Sequence, residues 1–238
     1  GSHPGSCSGE AIATKDFSMY FPIQHEGGGN LDKNLILKWM TKQMSYENDK
    51  VFHNSLYDMG WLKRYGIKVN GTIHDTMFAA PLIDENQYSY SLNNLGEKYC
   101  GETKDETLLQ EAAEAYGLNP KSEMYRLPAK YVGPYGEQDA ALTLKLWGVF
   151  KELLITENVV KIYDLETSLI PILLDMRYKG VPVDLDVAEK VGKKLKKEED
   201  TILTNIHKEF GVKPDLWAAQ SVATVFDRAG LSYPRTPK

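Results

Sequence analysis

Val51-Phe52-His53-Asn54-Ser55-Leu56-Tyr57-Asp58 carries the chain from an extended run into a helical one. Val51-Phe52-His53 has the composition of a short strand. Leu56 to Tyr65 follows with helical apolar spacing, and Gly66 stands where a helix ends. The pattern then repeats. Gly71-Thr72-Ile73-His74 reads as a strand, and Asp75 can cap a helix that begins at Thr76. Strands that feed helices in this way predict an α/β (α+β) domain, a sheet flanked by helices.

Working upstream, residues 9–15 and 17–23 read as two short strands joined by a turn at Lys15-Asp16. His25-Glu26-Gly27-Gly28-Gly29-Asn30 lacks any GKS/T or GxGxxG context, so a flexible loop is expected rather than a phosphate cradle. Residues 31–44 have helical periodicity through Leu31, Leu35 and Trp39, with Ile36 and Met40 alongside. Downstream, helices are predicted over 91–99, 105–116 and 136–156. Beyond about residue 157 the strand signal fades, which puts a boundary at 157–162. Leu165, Leu169, Ile172, Leu173 and Met176 form one apolar helical stripe, with Pro171 inside it as an expected kink. Gly180 ends that helix, and Val181-Pro182-Val183-Asp184 is an extended link. A charged helix over 185–209 and a short one over 219–229 complete a small helical segment. The charge run Lys190 to Asp200 reads as a solvated face rather than a DNA contact. The tail from Pro234 reads as a linker, and Gly1-Ser2-His3 as the remnant of a cleaved tag.

Hydrophobic residues make up 42% of the 238 and charged residues 26%, so disorder is not expected. The net charge of −5 argues mildly against a passive DNA binder, which is more often basic. It does not argue against a metal-dependent nuclease, whose carboxylates are offset by bound cations. Cys7 and Cys100 form no CxxC pair, so no zinc site is expected, and two free thiols suit a reducing compartment. No apolar run approaches the ~20 residues of a membrane span, and no signal peptide is visible.

Two short motifs carry the chemistry. Asn54-Ser55-Leu56-Tyr57-Asp58 follows a strand, and Tyr135-Gly136-Glu137-Gln138-Asp139-Ala140 opens the helix predicted over 136–156. Tyr135 and Asp139, four residues apart, share a helix face. A phenol and a carboxylate on one face, with Asp58 opposite, have the residue types that two-metal phosphodiester cleavage requires: oxygen ligands and a group that orients water. Taken singly, Asp58 and Asp139 read equally well as solvated surface carboxylates, Asn54 as a helix cap, and Asp75 as a cap rather than a chemical group.

In this order, NSLYD resembles the second motif and YGEQDA the third motif of the DEDD exonucleases, in their tyrosine subclass. Ile73-His74-Asp75-Thr76-Met77 followed by Ser91-Leu92-Asn93-Asn94-Leu95 is similar to the intervening segment of family A DNA polymerases. The stretch from Leu165 to Asp184 is similar to the start of their polymerase domain, and Tyr20-Phe21-Pro22 with His25-Glu26-Gly27-Gly28 is similar to phage members. The resemblance implies a ribonuclease H-like mixed sheet, with the 3′→5′ exonuclease domain at 5–160 and the truncated helical start of a polymerase domain at 161–238. It implies that Asp58 and Asp139 bind Mg²⁺ or Mn²⁺, that Tyr135 orients water, and that Asn54 contacts the substrate or supports the metal site from behind. The implied substrate is the 3′ end of single-stranded DNA and the product a 5′-mononucleotide. The implied setting is the cytoplasm of a phage-infected bacterium, with the polymerase domain of the parent chain as partner, no membrane, and any processivity factor unidentified.

The family's first motif, a D-x-E on the first strand, has no match before Gly9-Glu10-Ala11-Ile12-Ala13, which resembles the strand after it. Glu10 is not counted as its substitute. The metal site is therefore expected to be weak or empty and activity impaired, with exposed sheet groups that favour self-association. A catalytically dead DNA-binding scaffold remains the alternative reading. A ribonuclease D-type enzyme is a further one, opposed by the polymerase-like stretch 165–184.

Overall fold

The computed structural model describes residues 7–234, so the Gly1-Ser2-His3 remnant and the last tail residues lie outside it. By packing, the chain divides between Lys179 and Gly180 into two units.

The first unit opens with an antiparallel hairpin, β1 (Gly9–Ala13) and β2 (Ser18–Pro22), with Ala11 opposite Tyr20. Thr14 Oγ1 holds the turn by accepting from the amides of Asp16 and Phe17. Helix α1 (Lys33–Met44) starts at Asp32, whose side chain accepts from the Leu35 amide. Then come β3 (Lys50–Phe52), α2 (Ser55–Arg64), β4 (Ile73–Asp75) and α3 (Thr76–Ile83). β3 and β4 pair in parallel, Val51 opposite His74, with α2 as the crossover between them. Helices α4 (Leu92–Cys100), α5 (Thr107–Ala115), α6 (Ala129–Thr156), α7 (Val160–Ser168) and α8 (Ile170–Lys179) follow. The architecture is the mixed α/β type expected, its sheet present as one antiparallel and one parallel ladder.

Helix α6 is the central beam. It packs on β1, β2, β3, α3, α4, α5 and α7. Leu142, Leu146, Phe150 and Leu154 are buried along it against Ala79, Ala80, Leu92 and Leu95. Each large apolar side chain of this kind contributes about 1.5–3 kcal/mol on burial.

Several expectations are corrected. α6 begins at Ala129, not at 136, and runs through Gly133-Pro134-Tyr135-Gly136. Pro134 lies close enough to the start that its lost amide and ring clash affect only the early turns, and burial of Ala129 and Val132 holds them in place. In α1 the buried residues are Ile36 and Met40, while Leu31 and Leu35 face solvent. The stripe 165–176 is not one kinked helix. α7 stops at Ser168, and α8 restarts with Pro171 in its first turn, where a missing amide costs nothing. The residues buried there are Tyr163, Ile170 and Leu174, whereas Leu165, Ile172, Leu173 and Met176 are exposed. The glycine loop after β2 is pinned rather than free. Glu26 N donates to Tyr125 O, Gly28 O accepts from Ala129 N, and Gly27 lies so close to the 127–128 backbone that a Cβ would sit 2.4 Å from Pro128 N. His25 is buried in this contact. Its Nδ1 donates to Leu127 O at 2.9 Å, which leaves Nε2 to accept from Tyr20 Oη at 2.7 Å.

The second unit contains α9 (Leu185–Phe210) and α10 (Ala219–Arg228). Asp184 caps α9 by accepting from Val187 N, and Gly211 ends it in the left-handed conformation. The lysines of α9 pair along their own helix, Lys193 with Glu189, and Lys196 with Glu199 and Asp200.

The hairpin can lie on α6 because glycines face it. A Cβ on Gly136 would stand 3.0 Å from Tyr20 Cδ2 and 3.5 Å from Ala11 Cβ. Gly148, on the same helix, is exposed and meets nothing within 4 Å. Gly148→Ala should therefore stabilise by about 0.5–1 kcal/mol through helix propensity alone. Gly136→Ala should destabilise by about 1 kcal/mol or more, because overpacking outweighs that gain. Urea unfolding of the two variants checks the opposite signs.

Candidate active site

β1, β3, α2 and α6 enclose a cleft of about 980 Å³. Asp58 enters it from the first turn of α2, and Tyr135 and Asp139 from adjacent turns of α6. The two motifs thus share one cleft. Glu10 from β1, which the sequence reading considered and did not count, also lines it, as does Lys104 from the segment before α5, which that reading did not single out. Lys104 carried no sequence signal.

The approach to Asp58 is set by Asp75, which is fully buried. Its carboxyl accepts from the amides of Asn54 at 3.1 Å, Ser55 at 2.6 Å and Met77 at 2.8 Å. Its own amide donates to Tyr163 Oη at 2.9 Å. Asp75 is thus the expected cap of α3 and also the anchor of α2. Asn54 stands at the start of α2 with φ 73°, and its side chain makes no capping bond, contrary to the cap alternative. Asn54 is exposed, and its side chain is not part of the cleft wall.

On the opposite wall, Lys104 Nζ lies 2.9 Å from Asp139 Oδ1 and donates to Tyr135 Oη at 3.1 Å. The ammonium also sits 4.5 Å from the Tyr135 ring centre. Burial pushes the Asp139 carboxyl above its ordinary range, with Lys104 pulling the other way. Burial likewise raises the Tyr135 phenol, helped by Asp139. Burial acts to lower Lys104, but Asp139 and Tyr135 more than offset it and the net direction is upward. Asp58 is pushed well above the carboxylate range, first by burial and then by Glu10, Asp75 and Asp139. Glu10 is pushed up to about 7 by burial, while a hydrogen bond from Cys7 Sγ opposes the shift.

These carboxyls are electrostatically coupled, yet they do not meet at one point. Among the described residues no three His, Cys, Asp or Glu side chains converge to hold a metal ion. Asp58 and Asp139 are suitable oxygen donors for a hard divalent cation, but by themselves they do not fit a pair of such ions. β1 and β3, which flank the cleft, each have a single strand partner among the described residues.

A mixed α/β domain with acidic side chains from two helices facing one cleft is consistent with a ribonuclease H-like exonuclease fold. Residues 20–155 match the family model described as 3′-5′ exonuclease. The chain belongs to this family, the 3′→5′ exonuclease domain of family A DNA polymerases. It is 33% identical over 91% of its length to a DNA-directed DNA polymerase of Pseudomonas phage M6, covering 34% of that protein. It is 32% identical over 76% of its length to DNA polymerase DpoZ of Vibrio phage phiVC8, covering 31% of that one. The chain thus spans about a third of the length of these curated relatives. Among solved structures, the POL domain of Pol1 from M. smegmatis, solved with DNA primer-template and dNTP, superposes with a TM-score of 0.60 at 18% identity. That match covers 95% of this chain and 35% of the other, and it supports the fold alone. No described helix is long and apolar enough to cross a membrane.

The raised Glu10 has a sign that can be tested. Its folded value of about 7 lies above the ordinary 4.5, so the folded state binds the extra proton between those values. Its contribution to stability is then lost as pH rises through that window. Glu10→Gln should raise the melting temperature at pH about 8 by on the order of 10 °C and leave it unchanged near pH 4. Thermal scans of the metal-free protein at the two pH values check this.

Proposed function

We propose that this chain is the 3′→5′ proofreading exonuclease part of a DNA polymerase, acting on the 3′ end of single-stranded DNA and releasing 5′-mononucleotides. The supporting observation is that Asp58, Tyr135 and Asp139, widely separated in sequence, line one cleft. In this reading Asp58 and Asp139 are ligands of divalent cations, Mg²⁺ or Mn²⁺, and the Tyr135 phenol orients the hydrolytic water. Asn54 supports the site through the turn that aims Asp58. The ligands that Asp58 and Asp139 lack would come from an extended segment bearing a D-x-E. Residues 5–160 form the exonuclease domain and 161–238 the helical start of the polymerase domain. α7 and α8 belong to the latter by sequence pattern but pack on the former: Ile170 and Leu174 bury against Met59, and Arg177 donates to Leu56 O. The setting is the cytoplasm of a phage-infected bacterium, and the partners are the DNA 3′ end and the polymerase domain.

The incomplete ligand set favours a second reading, an inert DNA-binding scaffold. Digestion of 5′-labelled single-stranded DNA with Mn²⁺ separates the two. The present chain should shorten DNA slowly or not at all. A longer polypeptide that supplies the D-x-E segment should release mononucleotides, and Asp139→Ala in it should slow this by more than about 100-fold. A longer polypeptide that binds DNA without cutting it establishes the scaffold reading instead, and one that cuts DNA regardless of Asp139→Ala overturns the role given to Asp139.

A further inference from the structure

Lys104 is a largely enclosed cation in a site whose implied cations are divalent. Its side chain is 9% exposed. The backbone that carries it is clipped on both sides: Lys104 N donates to Asn93 Oδ1 of α4 at 3.0 Å, and Asp105 N to Gln138 Oε1 of α6 at 2.8 Å. The long stem is thereby aimed at α6. There the ammonium meets Asp139 Oδ1, Tyr135 Oη and the Tyr135 ring, with Glu106 Oε1 more distant at 3.8 Å. Surface lysines lose side-chain entropy for little return, and exposed pairs are worth about 0–1 kcal/mol. This one is enclosed and fixed at both ends, so its charge is felt strongly at Asp139.

We propose that Lys104 is the resident counter-cation of the site: its ammonium positions Asp139 and Tyr135 and competes with a divalent cation for Asp139. The proposal rests on the reading of Asp139 as a metal ligand. A divalent ion on Asp139 would sit on the same carboxylate that the Lys104 ammonium pairs with at 2.9 Å. Two cations cannot share it at close range without a large repulsion. Loading the site therefore requires the ammonium to leave, and the incomplete ligand set of this chain gives the ion little with which to displace it. Lys104 is a positioning residue in this account, since it acts through Asp139 and Tyr135.

Calorimetric titration with MnCl₂ of the unaltered chain, Lys104→Met, Asp139→Asn and the double variant tests the competition. Lys104→Met should bind Mn²⁺ about tenfold more tightly, the usual size of one close charge effect, and Asp139→Asn should abolish that gain. If Lys104→Met gains nothing while Asp139→Asn still weakens binding, the competition is refuted and Asp139 remains a ligand. If Asp139→Asn changes nothing in either background, the ligand reading fails and the proposal falls with it. Loss of a buried charge can unfold a chain, so a second measurement uses the unaltered protein. The side-chain ¹⁵N resonance of Lys104 should show a protected ammonium without metal and rapid solvent exchange at Mg²⁺ saturation. A resonance unmoved at saturation overturns the proposal.

Discussion

The carboxyl group of Asp75 organises the end of the parallel ladder. Buried at the last residue of β4, it accepts hydrogen bonds from the first amides of α2 and α3 together. Helix N-termini present unpaired donors and a positive dipole end, so one carboxyl can satisfy two helices that begin at the same place. Such hydrogen bonds contribute about 0.5–1.5 kcal/mol each, and leaving those amides unpaired in the interior would cost about 1–3 kcal/mol each. The same contact fixes the left-handed turn at Asn54 and, through it, the direction in which Asp58 leaves α2. The aromatic stack behind it, His74 on Trp147 at 4.2 Å and Trp147 on Tyr163 at 5.6 Å, ties β4 to α6 and α7.

From that anchor the site inherits an electrostatic conflict. Burial raises Glu10, Asp58 and Asp139 above their ordinary ionisation range, and Asp58 is pushed further by the charges of Glu10, Asp75 and Asp139. Crowded carboxyls of this kind weaken a fold unless protons or cations neutralise them. The chain uses both remedies. Cys7 and a raised proton affinity serve Glu10, and the Lys104 ammonium serves Asp139. Tolerance of such strain at one place in a well-packed domain is characteristic of functional sites.

The second structural device is the close approach of the hairpin to α6. Gly133 and Gly136 clear a path for Tyr20, whose phenol reaches His25, and His25 in turn secures the chain just before α6. Hydrogen bonds and close packing thus link β2, the glycine loop and the start of α6. Tyr135 and Asp139 ride on that helix, so their position relative to β1 depends on glycines that take no part in any chemistry.

Local patterns were sufficient for the elements and for two of the site's walls. The strands near 9–23, 51–53 and 71–74, the helix closed by Gly66 and the Asp75 cap all follow from short-range rules of periodicity and capping. The spacing of Tyr135 and Asp139 on one face is likewise a property of any helix. The sequence also held the family resemblance, in NSLYD and YGEQDA. Tertiary structure alone decided which apolar stripe is buried in α1 and in α7–α8, because burial depends on what lies opposite. It alone carried α6 through Pro134 back to Ala129, since the packing of Ala129 and Val132 outweighs the proline's local preference. It alone brought Glu10 and Lys104 to Asp58 and Asp139. Charges distant in sequence interact only after the chain has folded around them, and no local pattern encodes that meeting.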